Sequence, residues 1–375
     1  MKTRVFSIII IIFIFLFGIF KYLQIKESEK DKNIFKIGVI LPLTGDRASF
    51  GQNSKKGLEL AVNELNSLDS SLLKINLIIE DSRGKAQIAV SAFNKLVNDN
   101  VKIVVGPISS QEVLAIAPVA ETKKTVLFSP GASSPEITKA GEYIMRNVPS
   151  DIYEASLMAD FAFDTLSLKK IGVIYNNSDY GIGVENVFNN RMIERGGEVL
   201  SIGYSPEVKD FKSYLQRLKS FKPDAIYFVG YTELGIMIKQ AKEMGFTCQF
   251  LTTAIFEDQS ILKVASNAAE NIVFTSITFD INNPSPRAIH FVEMYKNKYK
   301  ELPDGYAAVA YDAIHIIYTS ILYSRDNNCQ LKDALYKVHN FPALLGTLSF
   351  DKNGDVVLPI SLKTVKNGIF TNYKN

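Results

Sequence analysis

Beyond residue 33 the chain alternates strand-like and helix-like segments, and then does so a second time. The first round runs "FKIGVILPL", "FGQNSKKGLELAVNELNS", "LKINLIIED", "KAQIAVSAFNKLVND", "VKIVVGP", a serine-led helix and "TVLFSP". In its first helix Leu58, Ala61, Val62 and Leu65 recur at helical spacing, whereas the strand segments are short, nearly continuous apolar runs. Strict alternation of this kind implies a parallel sheet covered on both faces by helices. From Lys169 the pattern restarts. Ile171-Gly172-Val173-Ile174 repeats Ile37-Gly38-Val39-Ile40, and an aromatic-glycine pair follows each, Phe50-Gly51 and then Tyr180-Gly181. Later, "DAIYFVGYTELGIMIKQAKEMG" mirrors "VKIVVGPISSQEVLAIAPVAETK". The expected fold is therefore α/β, two similar doubly wound parallel-sheet lobes. Ligands of such sheets bind beyond the carboxyl ends of the strands, where the strand order reverses. Two lobes set face to face would line one cleft with the loops after Gly106, after "TVLFSP", and around Tyr180 and Tyr231.

Composition narrows the function. A chain of 375 residues suits two lobes of ordinary size. Its 42 basic and 39 acidic residues nearly balance and form no basic stripe, so nucleic acid is not an expected partner. His290, His315 and His339 stand in unrelated contexts, and His315 reads as a core residue of an apolar helix. Cys248 and Cys329 make neither a zinc pattern nor a disulfide framework and are expected to be free thiols. "YGIGVENV" lacks the third glycine of a dinucleotide loop. With no nucleophile–base pair, metal cluster or cofactor loop visible, neither an enzyme nor a cofactor is expected.

The N-terminus sets the compartment. Lys2 and Arg4 precede "VFSIIIIIFIFLFGIF", residues 5–20, which reads as an export signal. The run is slightly short for a span of roughly 20 residues, but Tyr22, Leu23 and Ile25 extend it. No small-residue cleavage site follows it and no cysteine to carry a lipid. Residues 1–25 are thus a signal peptide or an uncleaved membrane anchor, and residues 26–33, "KESEKDKN", a solvated tether. An extracytoplasmic location, periplasmic in a two-membrane cell, is expected either way.

"VVGPISSQ" raises a question of its own, because adjacent serines stand where a buried strand hands over to a helix. Ser109 and Ser110 could cap that helix, since serine accepts from free helical N–H groups. The same N–H groups and hydroxyls could also hold an anion.

Taken in order, "IGVILPLTGDRASFGQNSKKGLELAVNELN", "VVGPISS", "LFSPGASSPEIT", "DYGIGV" and "LGTLSFDKNGD" resemble the type I periplasmic binding proteins, in particular the leucine/isoleucine/valine-binding branch that serves ABC transporters. The resemblance implies two lobes joined by three crossover segments: residues 33–150 with 279–345, and 151–278 with 346–375. It implies closure of the lobes on a small molecule, a carboxylate-bearing ligand of the branched-chain amino-acid type, and delivery to the membrane subunits of an ABC importer. A ligand-sensing receptor domain on the same fold, or a binder of aromatic or other amine-free carboxylates, is the alternative.

Residue by residue, Ser110 matches a family serine that holds the ligand carboxylate, and Gly131 and Ser133 match positions that hold carboxylate and ammonium. Asp151 matches an acid at the cleft, and Tyr180 and Tyr231 match aromatics that close over the ligand. Phe50 matches a tyrosine of the side-chain pocket and lacks its hydroxyl. One position departs from the pattern. Where the family's amino-acid binders carry a glutamate for the ammonium, "FLTTAIFEDQS" places Ala254, so Glu257 or Asp258 would have to supply the charge.

Overall fold

The computed structural model describes residues 34–68, 73–277 and 279–373. The N-terminal apolar run and the tether lie outside them, and no described helix is long and apolar enough to cross a membrane.

The first lobe is built on strands β1 (Ile34–Leu41), β2 (Lys74–Asp81), β3 (Ile103–Val105), β4 (Val126–Ser129) and β5 (Ile144–Arg146). Helices α1 (Ala48–Ser67), α2 (Ala86–Asn98) and α3 (Ser110–Lys123) connect them, and the sheet, parallel throughout, has the order β2-β1-β3-β4-β5. After helix α4 (Asp151–Asp160) the second lobe repeats the plan. Its strands are β6 (Lys170–Asn176), β7 (Glu198–Tyr204), β8 (Ala225–Val229), β9 (Gln249–Thr252) and β10 (Val273–Ile277), with helices α5 (Asp179–Glu194), α6 (Lys212–Phe221), α7 (Leu234–Glu243) and α8 (Gln259–Ala265) between them. The order β10-β9-β8-β6-β7 is that of the first lobe read from the other edge. Both sheets therefore reverse their strand order at equivalent places, beside β1 and β3 and beside β6 and β8.

The second sheet is not wholly parallel. It gains β13 (Ile360–Lys366) and β14 (Ile369–Asn372), paired antiparallel to β10 and to each other. For the pairing of β13 with β14 the reason is local. Asn367 and Gly368 have φ of 53° and 71°, and an Asn-Gly pair in that conformation makes a tight two-residue hairpin. A parallel pair would have needed a crossover helix.

Before that, the chain returns to the first lobe through α9 (Pro286–Tyr299), α10 (Gly305–Asp326) and α11 (Leu331–Tyr336), followed by the short ladder of β11 (Phe341–Ala343) and β12 (Gly346–Leu348). Helix α10 packs on α1. Gly57 permits this, since a Cβ there would stand 2.1 Å from the Ala307 carbonyl oxygen. Leu58, Ala61, Val62 and Leu65, the stripe seen in the sequence, are all buried in the core. Both cysteines are free.

Glu64 ties α1 to α9 and α10. It accepts from the Tyr311 hydroxyl and lies 3.0 Å from His290 Nε2 and 3.3 Å from His315 Nε2. Burial raises its carboxyl, but the contacts with His315, Tyr311 and His290 outweigh that and bring it down to about 2. A folded value below the ordinary 4.5 stabilises the protein fully above that pH and loses its contribution as pH falls toward about 2. Glu64→Gln is therefore expected to flatten the acid limb of a Tm-versus-pH curve between these values, leaving the neutral limb parallel to that of the parent.

Candidate functional site

The loops at the two reversal points face each other across a cavity of about 900 Å³. Its first-lobe wall comes from the turns after β1, β3 and β4. Phe50 is buried and stacks on Tyr306, with centroids 4.9 Å apart and planes at 29°. Ser110, Gly131 and Ser133 line the wall beside it.

Hydrogen bonds hold that wall in shape. Ser129 Oγ accepts from the Ala132 N–H at 2.9 Å and donates to the Pro107 carbonyl at 2.6 Å, joining the turns after β3 and β4. Ser110 Oγ accepts from the Ser134 N–H at 3.1 Å. Gly131 is needed for the approach, because a Cβ there would lie 2.8 Å from Ile108 Cβ. Neither serine caps α3 with its side chain. Ser109 occupies the cap position but donates its hydroxyl to Glu112, and Ser110 is the first helical residue.

The second-lobe wall carries Tyr180 and Tyr231. Their rings lie 5.2 Å apart, and the Tyr180 hydroxyl donates to Thr253 Oγ1 at 2.8 Å. The aromatic-glycine repeat now has a cause. A Cβ on Gly51 would stand 2.2 Å from the Pro42 carbonyl oxygen, and one on Gly181 2.0 Å from the Asn176 carbonyl oxygen. In each lobe glycine lets the first turn of a helix press against the end of the preceding strand, and the aromatic residue before it is carried to the cavity.

Contacts also cross between lobes. The Arg47 guanidinium sits 3.8 Å above the Tyr231 ring centre, Ser134 Oγ donates to the Asp179 carbonyl at 3.1 Å, and Lys209 pairs with Asp46 at 3.1 Å. The last pair is exposed and worth little; the cation–π contact, between a half-buried Arg47 and a buried Tyr231, is worth about 1 kcal/mol.

Of the acids named from the sequence, Asp151 falls outside the cavity and Glu257 borders it already paired. Asp151 does not line the cavity; it is fully buried behind the wall as the first residue of α4, whose cap is Ser150. Burial pushes its carboxyl well up, and the neighbouring charge of Glu154 adds to that. Neither of its carboxylate oxygens makes a hydrogen bond among the described residues. Glu257 does border the cavity, but its carboxylate takes the Lys363 ammonium and the Ser276 hydroxyl, so it offers no free charge. Asp258 is spent on α8, capping Ser260 N–H at 2.7 Å.

Sequence reading missed Glu154 and Arg47. Glu154 lines the cavity at 6 % exposure and accepts from the Ala254 N–H at 2.8 Å. Its only signal was a second acid one helical turn after Asp151, on the face that also buries Ala155 and Met158. Arg47 had none, since a charged residue in a turn ordinarily faces water. No group of three or more His, Cys, Asp or Glu residues among the described ones is placed to hold a metal.

Comparison with known proteins agrees with this architecture. Residues 35–368 match the family model described as periplasmic binding protein. A Leu/Ile/Val-binding protein homologue of Brucella melitensis is 30 % identical over 86 % of this chain and 89 % of its own length. The crystal structure of a leucine-binding protein from Thermotoga maritima superposes with a TM-score of 0.85 at 29 % identity, covering 91 % of this chain and 98 % of that one. A branched-chain amino acid transporter substrate-binding protein of Streptococcus pneumoniae, solved with isoleucine, gives 0.83 at 28 %, covering 90 % and 97 %.

Proposed function

The chain belongs to the periplasmic binding protein family, in its branched-chain amino-acid-binding branch, and from that premise we propose that it captures an amino acid of the branched-chain type between its lobes and hands it to the membrane subunits of an ABC importer. It is a solute-binding protein and not an enzyme. It works outside the cytoplasm, with residues 5–20 as its export signal or retained membrane anchor.

The observation that carries this reading is the convergence of both strand-reversal points on one cavity. The hydroxyls of Ser110 and Ser133 and the backbone at Gly131 suit a carboxylate at the mouth of α3, where the helix dipole favours negative charge. Tyr180 and Tyr231 cover the ligand from the second lobe, and Phe50 meets its side chain. Only the closed arrangement lets both lobes touch the ligand, so binding shifts the hinge equilibrium toward closure.

A thermal-shift screen of the full chain, followed by tyrosine fluorescence, tests the proposal. A micromolar ligand at millimolar concentration adds about 4 kcal/mol and raises Tm by several degrees. A rise with leucine, isoleucine or valine is the expected result. A rise with aromatic acids alone would replace the amino-acid reading by the amine-free one, and no rise with any of them would remove the importer assignment.

A further inference from the structure

The cavity has two poles of unlike chemistry. At the first-lobe wall the ligand meets hydroxyls and helix-terminal N–H groups, which are donors. On the other side it meets Glu154. Both hydrogen bonds that this carboxylate receives, from the Ala254 N–H and the Thr275 hydroxyl, go to Oε1. Oε2 bonds no described residue, and the side chain borders the cavity.

No cation among the described residues neutralises it. Arg146 is fully buried and committed to Asp355 at 2.7 Å, Lys363 is committed to Glu257, and Arg47 sits over the Tyr231 ring. Asp151, one turn earlier on the same helix, supplies no positive charge either. A carboxylate this buried without a positive partner costs several kcal/mol, a cost that a cation carried by the ligand would offset.

We propose that Glu154 is the residue that pairs with the ammonium group of the bound amino acid, in the place that the apolar Ala254 leaves empty of charge. The proposal rests on the amino-acid reading above and adds to it the residue that decides between an amino acid and its amine-free analogue. Burial raises the Glu154 carboxyl, as it should where the stabilising cation arrives only with the ligand. The placement also suits the assignment: Glu154 bonds the Ala254 N–H, Tyr180 bonds the adjoining Thr253, and all of Glu154, Ala254, Tyr180, Ser110 and Ser133 line the one cavity.

The test is calorimetric titration of the detergent-purified full chain with leucine and with 4-methylpentanoate, its des-amino analogue. Wild type is expected to prefer leucine. In Glu154→Gln the leucine affinity should fall at least about 30-fold, the loss that follows truncating one partner of a buried charge pair, while 4-methylpentanoate binds as before or better. Glu154→Gln with Ala254→Glu, which returns a carboxylate from the loop, should recover part of the leucine affinity. Equal losses for the two ligands, or an unchanged leucine affinity, would overturn the role of Glu154 while amino-acid binding itself stands. Wild type binding 4-methylpentanoate and not leucine would overturn both the role and the amino-acid reading. Should Glu154→Gln not fold, Glu154→Asp decides by the same comparison, a selective loss for leucine supporting the proposal and a uniform one refuting it.

Discussion

Arg146→Met is expected to cost about 3–5 kcal/mol of stability, the usual penalty for leaving one member of a buried ion pair alone. Arg146 is completely buried. Its Nε donates to Asp355 at 2.7 Å, one terminal nitrogen to the Ser134 carbonyl at 2.8 Å, and the other to Thr138 Oγ1 at 2.9 Å. Thr138 in turn donates to the same Asp355 at 2.6 Å. Methionine nearly fills the volume but makes none of these bonds, and Asp355 keeps its charge in a place with little water. Chemical denaturation should show the loss as a lower midpoint with an unchanged m-value. Arg146→Met with Asp355→Leu should regain most of it, since removing both members is far less costly than removing one. Equal stability of the single and double variants would refute the pair as the cause. The single variant should also bind ligand more weakly, because Ser134, held by Arg146, donates its N–H to Ser110 Oγ.

The second large effect belongs to Gly181. Its substitution by alanine puts a Cβ 2.0 Å from the Asn176 carbonyl oxygen, which is backbone and has nowhere to turn. Helix α5 must then move off the end of β6, and Tyr180 moves with it, away from Thr253 and Tyr231. The expected cost is about 1–3 kcal/mol in stability, in line with overpacking, together with a drop in ligand affinity of about tenfold or more. Gly305→Ala is the control. No atom of the protein lies within 4 Å of a Cβ there, so stability should hold or rise slightly. If Gly181→Ala kept full affinity, Tyr180 would not be part of the ligand's wall.

Much of the cavity lining was legible in the sequence. Phe50, Ser110, Gly131, Ser133, Tyr180 and Tyr231 all border the cavity, because each follows a strand end at a point where the order of elements is the same in both halves. The acids were not legible in the same way. Asp151, Glu257 and Asp258 were plausible partners for a ligand charge, yet the chain uses Glu257 for Lys363 and Asp258 to cap α8, and it buries Asp151 behind the wall. Linear spacing says which carboxylates are near in the chain, not which cation or N–H reaches them first.

The sequence by itself determined the two lobes, their alternating layers and the loops that face the cleft, since these follow from hydrophobic period and from glycine at close approaches, both local properties. Tertiary structure alone decided which charges stay free. Ion pairs such as Arg146–Asp355 and Lys363–Glu257 join residues far apart in the chain. Glu154, by contrast, is left facing the cavity without a cation among the described residues, and that follows only from where the other described charges have gone.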